Sequence, residues 1–359
     1  MKKISVLITD DSVVYRSQIR EALRDIPQLD IAGAASNGRL ALERLSQVSC
    51  DLLILDLEMP EMDGIETLKE IRKRNLSCKV LVFSSASKRG AEITMEALRL
   101  GASDFITKPD STNLTGENPA VRIQNLLLPK IKALYPEQWA SEEKPALKTI
   151  TSNYPNVIWS LFSPDIVVIG SSTGGPTVLE HIFSKINGPL KCPVIIVQHM
   201  PPIFTATLAE RISKLCGIPA KEASHGEVLE NSIYIAPGNY HLRLEGTTSR
   251  TVLLLDQKEQ INSVRPAVDP LFQTAASIFK NKCLGIVLTG MGADGRDGAL
   301  SVKAEGGVMV IQEEKSCVVF GMPGAVYAAG AFDKIESPDG IISILQDKVA
   351  SAPSRREVL

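Results

Sequence analysis

The chain has 359 residues, of which 44% are hydrophobic and 22% charged, and a formal net charge of -2. That length suits two domains of about 100 to 200 residues each, and the composition excludes wholesale disorder. The near-zero net charge gives no electrostatic basis for binding nucleic acid or an anionic membrane surface. The six cysteines, Cys50, Cys78, Cys192, Cys216, Cys283 and Cys317, include no C-x-x-C pair, so neither a zinc site nor a disulfide framework is expected. No apolar run approaches the length of about 18 residues that a membrane span needs. The opening MKKISVLITDD turns acidic too soon for a signal peptide. A cytoplasmic protein with no direct membrane insertion is expected.

Residues 1–135 alternate apolar runs with amphipathic segments, the pattern of a (βα)5 doubly wound parallel sheet. The predicted strands are ISVLIT, DIAGAAS, DLLILDL, KVLVFSS and DFITK. The predicted helices are VVYRSQIREALRDI, GRLALERLS, GIETLKEIRKR, AEITMEALRL and AVRIQNLLLPKIKAL. Polar residues gather where these strands end: Asp10 and Asp11 after the first, Asp56 at the third, Ser84 and Ser85 after the fourth, and Lys108 with Pro109 after the fifth. In an open parallel sheet those ends share one edge, where ligands bind at the switch in strand order. Three carboxylates there repel one another unless a hard cation joins them, and Mg2+ suits few carboxylates plus phosphoryl oxygens. Asp56 can then accept a phosphoryl group, with Ser84 and Lys108 available to its oxygens.

This constellation resembles the receiver domain of two-component response regulators at every motif position. The resemblance implies phosphorylation of Asp56 by a histidine kinase, Mg2+ held with Asp10 and Asp11, and phosphate readout by Ser84 and Lys108. Gly64 matches the family's turn after the phosphorylation loop.

Residues 136–164 carry Pro136, Pro145, Pro155 and Pro164 without a sustained period and read as a linker. Trp139 and Trp159 signal that parts of it pack. A second α/β domain spans 165–350, and residues 351–359 read as a frayed tail.

The second domain opens on IVVIGSSTGGP. Ile166 to Ile169 form an uninterrupted β-branched strand that is expected to stop at Gly170. The turn that follows leads into a helix with Pro176 near its first position. The glycines match neither the dinucleotide pattern G-x-G-x-x-G nor the P-loop, which needs a lysine. A hydroxyl here sits beside helix N-terminal N–H groups that favour developing negative charge. Next come the strand of CPVIIVQHMPP, the helix FTATLAERISKLCG, and β-like runs through residue 256, read as hairpins decorating the parallel sheet. The helix DPLFQTAASIF, the strand and loop CLGIVLTGMGADG, the helix GRDGALSVKAEGG, the strand VMVIQ and a short helix after Pro323 complete the series.

Three strands thus end in Ser172, His199 and Asp294, far apart in sequence but on one predicted edge. A serine becomes a nucleophile when an imidazole takes its proton, and a carboxylate on the other ring nitrogen holds the working tautomer. Spacing alone leaves Ser171 and Ser172 both open. A calcium loop starting at Asp294 is excluded by Arg296 and Gly298 at its third and fifth positions.

GSSTGGP, VQHMPP and LTGMGADGRDG behind a receiver are similar to the chemotaxis response-regulator protein-glutamate methylesterase family over essentially the whole chain. The resemblance implies Ser172 as nucleophile, His199 as base and Asp294 as orienting acid. It implies that the Met291 N–H and the turn at Thr173 assist the oxyanion. It also implies hydrolysis of glutamyl methyl esters, and deamidation of glutamines, on the cytoplasmic helices of methyl-accepting chemoreceptors. For the esterase the resemblance implies no metal. In that family the unphosphorylated receiver blocks the catalytic face, and phosphorylation releases it.

Overall fold

A computed structural model describes residues 2–109, 118–139 and 159–350. The chain divides into two compact units, Met1–Ala146 and Leu147–Leu359. Most of the expected linker (140–158) and the tail (351–359) lie outside the described residues.

The first unit is a five-stranded parallel sheet of β1 (Ile4–Thr9), β2 (Leu29–Ala35), β3 (Leu52–Asp56), β4 (Lys79–Ser84) and β5 (Asp104–Thr107), in the order 2-1-3-4-5. The helices α1 (Val13–Arg24), α2 (Gly38–Gln47), α3 (Gly64–Lys73), α4 (Lys88–Arg99) and α5 (Pro119–Leu134) cover its two faces. Helices α1 and α5 pack together, as do α2 with α3 and α3 with α4. All five residues of β3 are buried, as a central strand covered on both faces requires. Local chemistry starts each helix. Ser12, Asn37 and Ser87 accept a backbone N–H at the α1, α2 and α4 termini, and Asp63 with Glu66 forms a capping box on α3. The Ser87 cap explains why α4 begins three residues before the expected AEITMEALRL. Gly64 is the first residue of α3, and a Cβ there would lie 2.5 Å from the Asp56 carbonyl oxygen. The glycine lets α3 close directly onto the loop after β3.

The second unit is built on a seven-stranded, fully parallel sheet. Its strands are β6 (Ile166–Ser171), β7 (Val194–Gln198), β8 (Ala220–Glu222), β9 (Ile233–Ile235), β12 (Cys283–Val287), β13 (Val308–Gln312) and β14 (Lys334–Glu336), in the order 14-13-12-6-7-9-8. The remaining strands, β10 (His241–Thr247) and β11 (Arg250–Asp256), form a separate antiparallel hairpin. Helices α6 (Gly175–Phe183), α7 (Phe204–Cys216) and α11 (Pro338–Lys348) group together, as do α8 (Val268–Phe279), α9 (Arg296–Ala304) and α10 (Met322–Ala328).

Three expectations are corrected. Strand β6 does not stop at Gly170; it runs through it to Ser171, with Gly170 paired to Val287 and Val197. The glycine serves a close approach instead, because a Cβ would lie 2.6 and 2.7 Å from the Val268 methyls of α8. Of the β-like runs after α7, β8 and β9 extend the parallel sheet at its edge, and only β10 and β11 make a hairpin. That hairpin packs on α8 rather than on the sheet, with Leu242, Leu244 and Leu253 joining Phe272 and Phe279 in one buried cluster. Strand β14 and helix α11 were not foreseen, β14 being only three residues long with none of them buried. Trp159 stacks on Phe162 at 5.8 Å, and the Lys334 ammonium lies 4.3 Å from its ring, so this part of the expected linker packs within the second unit.

Gly170→Ala should destabilise the second unit by about 1 to 3 kcal/mol through overpacking against Val268. Adding Val268→Ala should recover part of that loss, as read by thermal melts of the two variants.

Candidate functional sites

In the first unit the order 2-1-3-4-5 reverses between β1 and β3, and the two strands deliver Asp10 and Asp56 to the same crevice. Asp10 and Asp56 are buried, whereas Asp11 is exposed, and one carboxylate oxygen from each lies within 4.8 Å of the others. The Lys108 ammonium sits 2.9 Å from Asp10 Oδ2 and 2.8 Å from Asp56 Oδ2, over the Tyr15 ring at 4.8 Å. Burial and the neighbouring Asp10 charge push the Asp56 carboxyl up to about 6 against the opposing pull of Lys108. Burial likewise raises Asp10. For Lys108, burial favours the neutral amine, but the hydrogen bond and charge of Asp56 outweigh it and raise its pKa.

This donor set fits a hard divalent cation. Asp10 Oδ2 is buried without an aligned hydrogen bond, although the Lys108 ammonium touches it, and all three candidate ligands are carboxylate oxygens. Ser84 is placed differently from Lys108. Its Oγ donates to the Gly90 carbonyl at 3.3 Å and accepts from Thr94 Oγ1 at 2.8 Å, so it is engaged with α4. Arg16, unassigned by sequence reasoning, donates from Nη1 to the Asp10 and Asp11 carbonyls at 2.6 and 2.9 Å, tying down the acidic loop. A cleft of about 440 Å³ lies beside the site, lined in part by Asp11, Leu57, Glu58, Met59 and Arg89.

In the second unit the strand order reverses between β6 and β12. Ser172 follows β6, His199 follows β7 on the adjoining strand, and Asp294 stands in the loop between β12 and α9. Ser171 and Ser172 are now distinguished. Ser171 is fully buried and donates its Oγ hydrogen to Gln198 Oε1 at 2.7 Å. Ser172 is partly exposed in the turn before α6, and its Oγ has no hydrogen bond among the described residues. Gln198 also donates from Nε2 to the Ser172 carbonyl at 3.0 Å, locking the turn to β7. Gly290 lies against the serine; a Cβ there would stand 2.8 Å from Ser172 Cβ.

His199 Nε2 lies 2.7 Å from Asp294 Oδ2. An ionised carboxylate only accepts, so Nε2 carries the hydrogen and Nδ1 keeps its lone pair. Asp294 is 2% exposed and heavily solvated by protein. Its Oδ2 also accepts the Val268 N–H at 2.6 Å. Its Oδ1 accepts the N–H groups of Asp269 and Gly295 and the Asn262 amide, at 3.2, 3.1 and 3.1 Å. Burial would raise this carboxyl, but the bonds from His199, Val268 and Asp269 hold it below its ordinary range.

The other three histidines are occupied elsewhere: His181 by Asp339, His225 by the Leu255 backbone and His241 by Glu259 and Ala267. The Ser172 N–H is committed to the Thr289 carbonyl at 3.0 Å. Thr173 is buried, and its carbonyl accepts from Thr289 Oγ1 at 2.9 Å. Met291 is 37% exposed, and its N–H has no partner among the described residues, as suits an oxyanion donor. Sequence reasoning assigned no role to Gln198, Asn262, Asp269 or Thr289. Of these only Gln198 carried a signal, as a polar residue ending an apolar strand.

Asp269 is a second buried carboxylate beside Asp294. Desolvation and the Asp294 charge push it up to about 6 from its ordinary 3.8. The folded unit therefore holds a proton that the unfolded chain releases near pH 4. That contribution to stability is complete below about pH 4 and is lost as pH rises through about 6. The charged groups facing it are Asp294, Asp297 and Arg296. Asp269→Asn should flatten the fall in melting temperature of the second unit between about pH 4 and pH 7, as followed by calorimetry.

Two family models match the chain: "CheB methylesterase" over residues 167–345 and "Response regulator receiver domain" over residues 6–116. A "Protein-glutamate methylesterase/protein-glutamine glutaminase" of Trichodesmium erythraeum is 41% identical over 339 residues, covering 93% of this chain and 96% of that one. One of Thermotoga maritima with the same description is also 41% identical, covering 92% of this chain and 94% of its own length. The crystal structure of the Thermotoga maritima CheB methylesterase catalytic domain is 43% identical over 52% of this chain and 98% of that one, with a TM-score of 0.49. Among the described residues, no helix is long and apolar enough to cross a membrane. A receiver motif set on one parallel sheet and a serine, histidine and aspartate on another, in a chain that aligns with its relatives nearly end to end, mark this protein as a member of the CheB methylesterase family with a response-regulator receiver domain.

Proposed function

We propose that this chain is a phosphorylation-activated protein-glutamate methylesterase of the cytoplasm, acting on the cytoplasmic helices of methyl-accepting chemoreceptors by a Ser172–His199–Asp294 mechanism. The observation that carries this reading is the buried 2.7 Å bond between His199, after β7, and Asp294, with Ser172 at the end of the adjoining strand β6 and its hydroxyl without a hydrogen bond among the described residues. Ser172 Oγ attacks the glutamyl ester carbonyl while His199 Nδ1 takes its proton. The oxyanion is held by backbone N–H donors, Met291 among them, with the Thr173 turn beside it. Collapse of the tetrahedral species breaks the ester bond, and His199 returns the proton to the departing methanol. Water, deprotonated by the same imidazole, then cleaves the acyl-enzyme to leave a glutamate side chain. On a glutamine the same steps release ammonia.

Control is assigned to the first unit. Asp56 receives the phosphoryl group from a histidine kinase, and Asp10, Asp11 and Asp56 would hold Mg2+, which supplies charge neutralisation for the transfer. Lys108, already touching Asp56, pairs with the phosphoryl oxygens, and the Ser84 hydroxyl exchanges its bond to Gly90 for one to them. The exchange ties the phosphate to α4 and biases a two-state receiver.

Methanol release from a methylated chemoreceptor tests both halves. Ser172→Ala should lower it at least about 1,000-fold. Asp56→Asn should keep basal release but lose stimulation by a small phosphodonor with Mg2+. Release that survives Ser172→Ala contradicts the mechanism, and stimulation that survives Asp56→Asn contradicts the control.

A further inference from the structure

Between the hairpin strand β11 and helix α8, residues 257–267 form a loop whose tip is Asn262–Ser263. Ile261 and Val264 exchange both backbone hydrogen bonds, at 3.2 and 3.0 Å, across this two-residue turn. Asn262 and Ser263 both adopt positive φ, 53° and 63°. Two consecutive left-handed residues are what a type I′ turn demands, and asparagine is among the side chains that tolerate it best. Arg265 braces the loop, donating to the carbonyls of Gln257 and Lys258 at 2.8 and 2.6 Å and to Asn239 Oδ1 through Nε and Nη2.

The braced tip aims one amide at two buried carboxylates. Asn262 Nδ2 donates to Asp294 Oδ1 and to Asp269 Oδ2, each at 3.1 Å. Asp269 turns its other oxygen to the N–H groups of Gly295 and Gly298, at 3.0 and 2.7 Å, where α9 begins. Both acids are nine-tenths or more buried, and the amide bridges one oxygen of each. With Oδ1 of Asp294 held this way, Oδ2 faces His199.

We infer that Asn262 and Asp269 are positioning residues of the esterase: Asn262 fixes the orientation of Asp294, Asp269 holds both Asn262 and the start of α9, and the hairpin insertion exists to deliver this turn. The inference rests on the Ser172–His199–Asp294 reading above. Both act through Asp294, and so through the tautomer and alignment of His199. Asn262 makes one hydrogen bond to each of two buried carboxyls, and because Asp294 acts on the imidazole the effect belongs in kcat rather than in substrate binding.

The test uses the full chain with Asn262→Gly, which keeps the positive φ and removes the amide. Asn262→Asp is measured with it, an isostere that presents an acceptor to two acceptors. Ser172→Ala and His199→Ala serve as references. Melting temperature, kcat and KM for methylated receptor are measured for each. The expected result is a fall in kcat of about 10- to 100-fold for Asn262→Gly, with KM within about twofold and a melt that remains cooperative. A larger kcat fall is expected for Asn262→Asp, which also decides the matter if the glycine variant does not fold. Loss confined to KM, or kcat within about twofold of wild type in a folded Asn262 variant, overturns the inference while leaving the triad intact. Activity that survives Ser172→Ala or His199→Ala overturns the catalytic reading and the inference with it.

Discussion

The esterase unit depends on a single carboxylate. Asp294 is almost wholly withdrawn from water, yet remains ionised because protein donors replace the solvent it lost. Those donors come from distant stretches of chain: the β7 terminus through His199, the α8 terminus through Val268 and Asp269, and the loop tip through Asn262. Each can be present only if the parallel sheet, the hairpin and α8 have assembled in register. Glycines make that assembly possible, since Gly170 lets Val268 reach the sheet and Gly290 leaves room for Ser172. The fold is in this sense a device for solvating one anion and aligning one imidazole against it.

The receiver unit meets a related problem with a different answer. Two buried carboxylates, Asp10 and Asp56, each accept backbone N–H groups through Oδ1, from Ser12 and Leu57, and share the Lys108 ammonium through Oδ2 at the switch in strand order. Their raised proton affinity expresses how weakly the crevice compensates them. Such a place gains most from a cation or from a reaction that redistributes charge. The two units therefore use the same sheet architecture for different purposes, one to hold charge and the other to remain responsive to it.

Much of this was legible in the residues because parallel strands buried on both faces read as apolar runs, and polar side chains at their carboxyl ends stand out. That logic singled out Asp10, Asp56, Lys108, Ser172 and His199 as candidates, and the family resemblance favoured Ser172 over Ser171. Burial and the bond to Gln198 now give a physical reason for the distinction, one that spacing could not supply. Strands β8, β9 and β14 are three residues each, too short for a period, so their places in the sheet come only from tertiary pairing. Gly170 read as a strand end because a glycine's lack of side chain looks the same whether it serves a turn or a close approach. Asn262 and Asp269 carried no signal: an asparagine in a polar loop and an aspartate at a helix start are ordinary until the fold sets them against Asp294.

The proposed mechanism requires that Asp294 hold the proton of His199 on Nε2 and leave Nδ1 unprotonated. Nitrogen-15 NMR of the histidine-labelled chain with a neutral imidazole should show a protonated Nε2 and a bare Nδ1, with that preference lost in Asp294→Asn. A His199 with its proton on Nδ1, or a tautomer unchanged by Asp294→Asn, would contradict the mechanism.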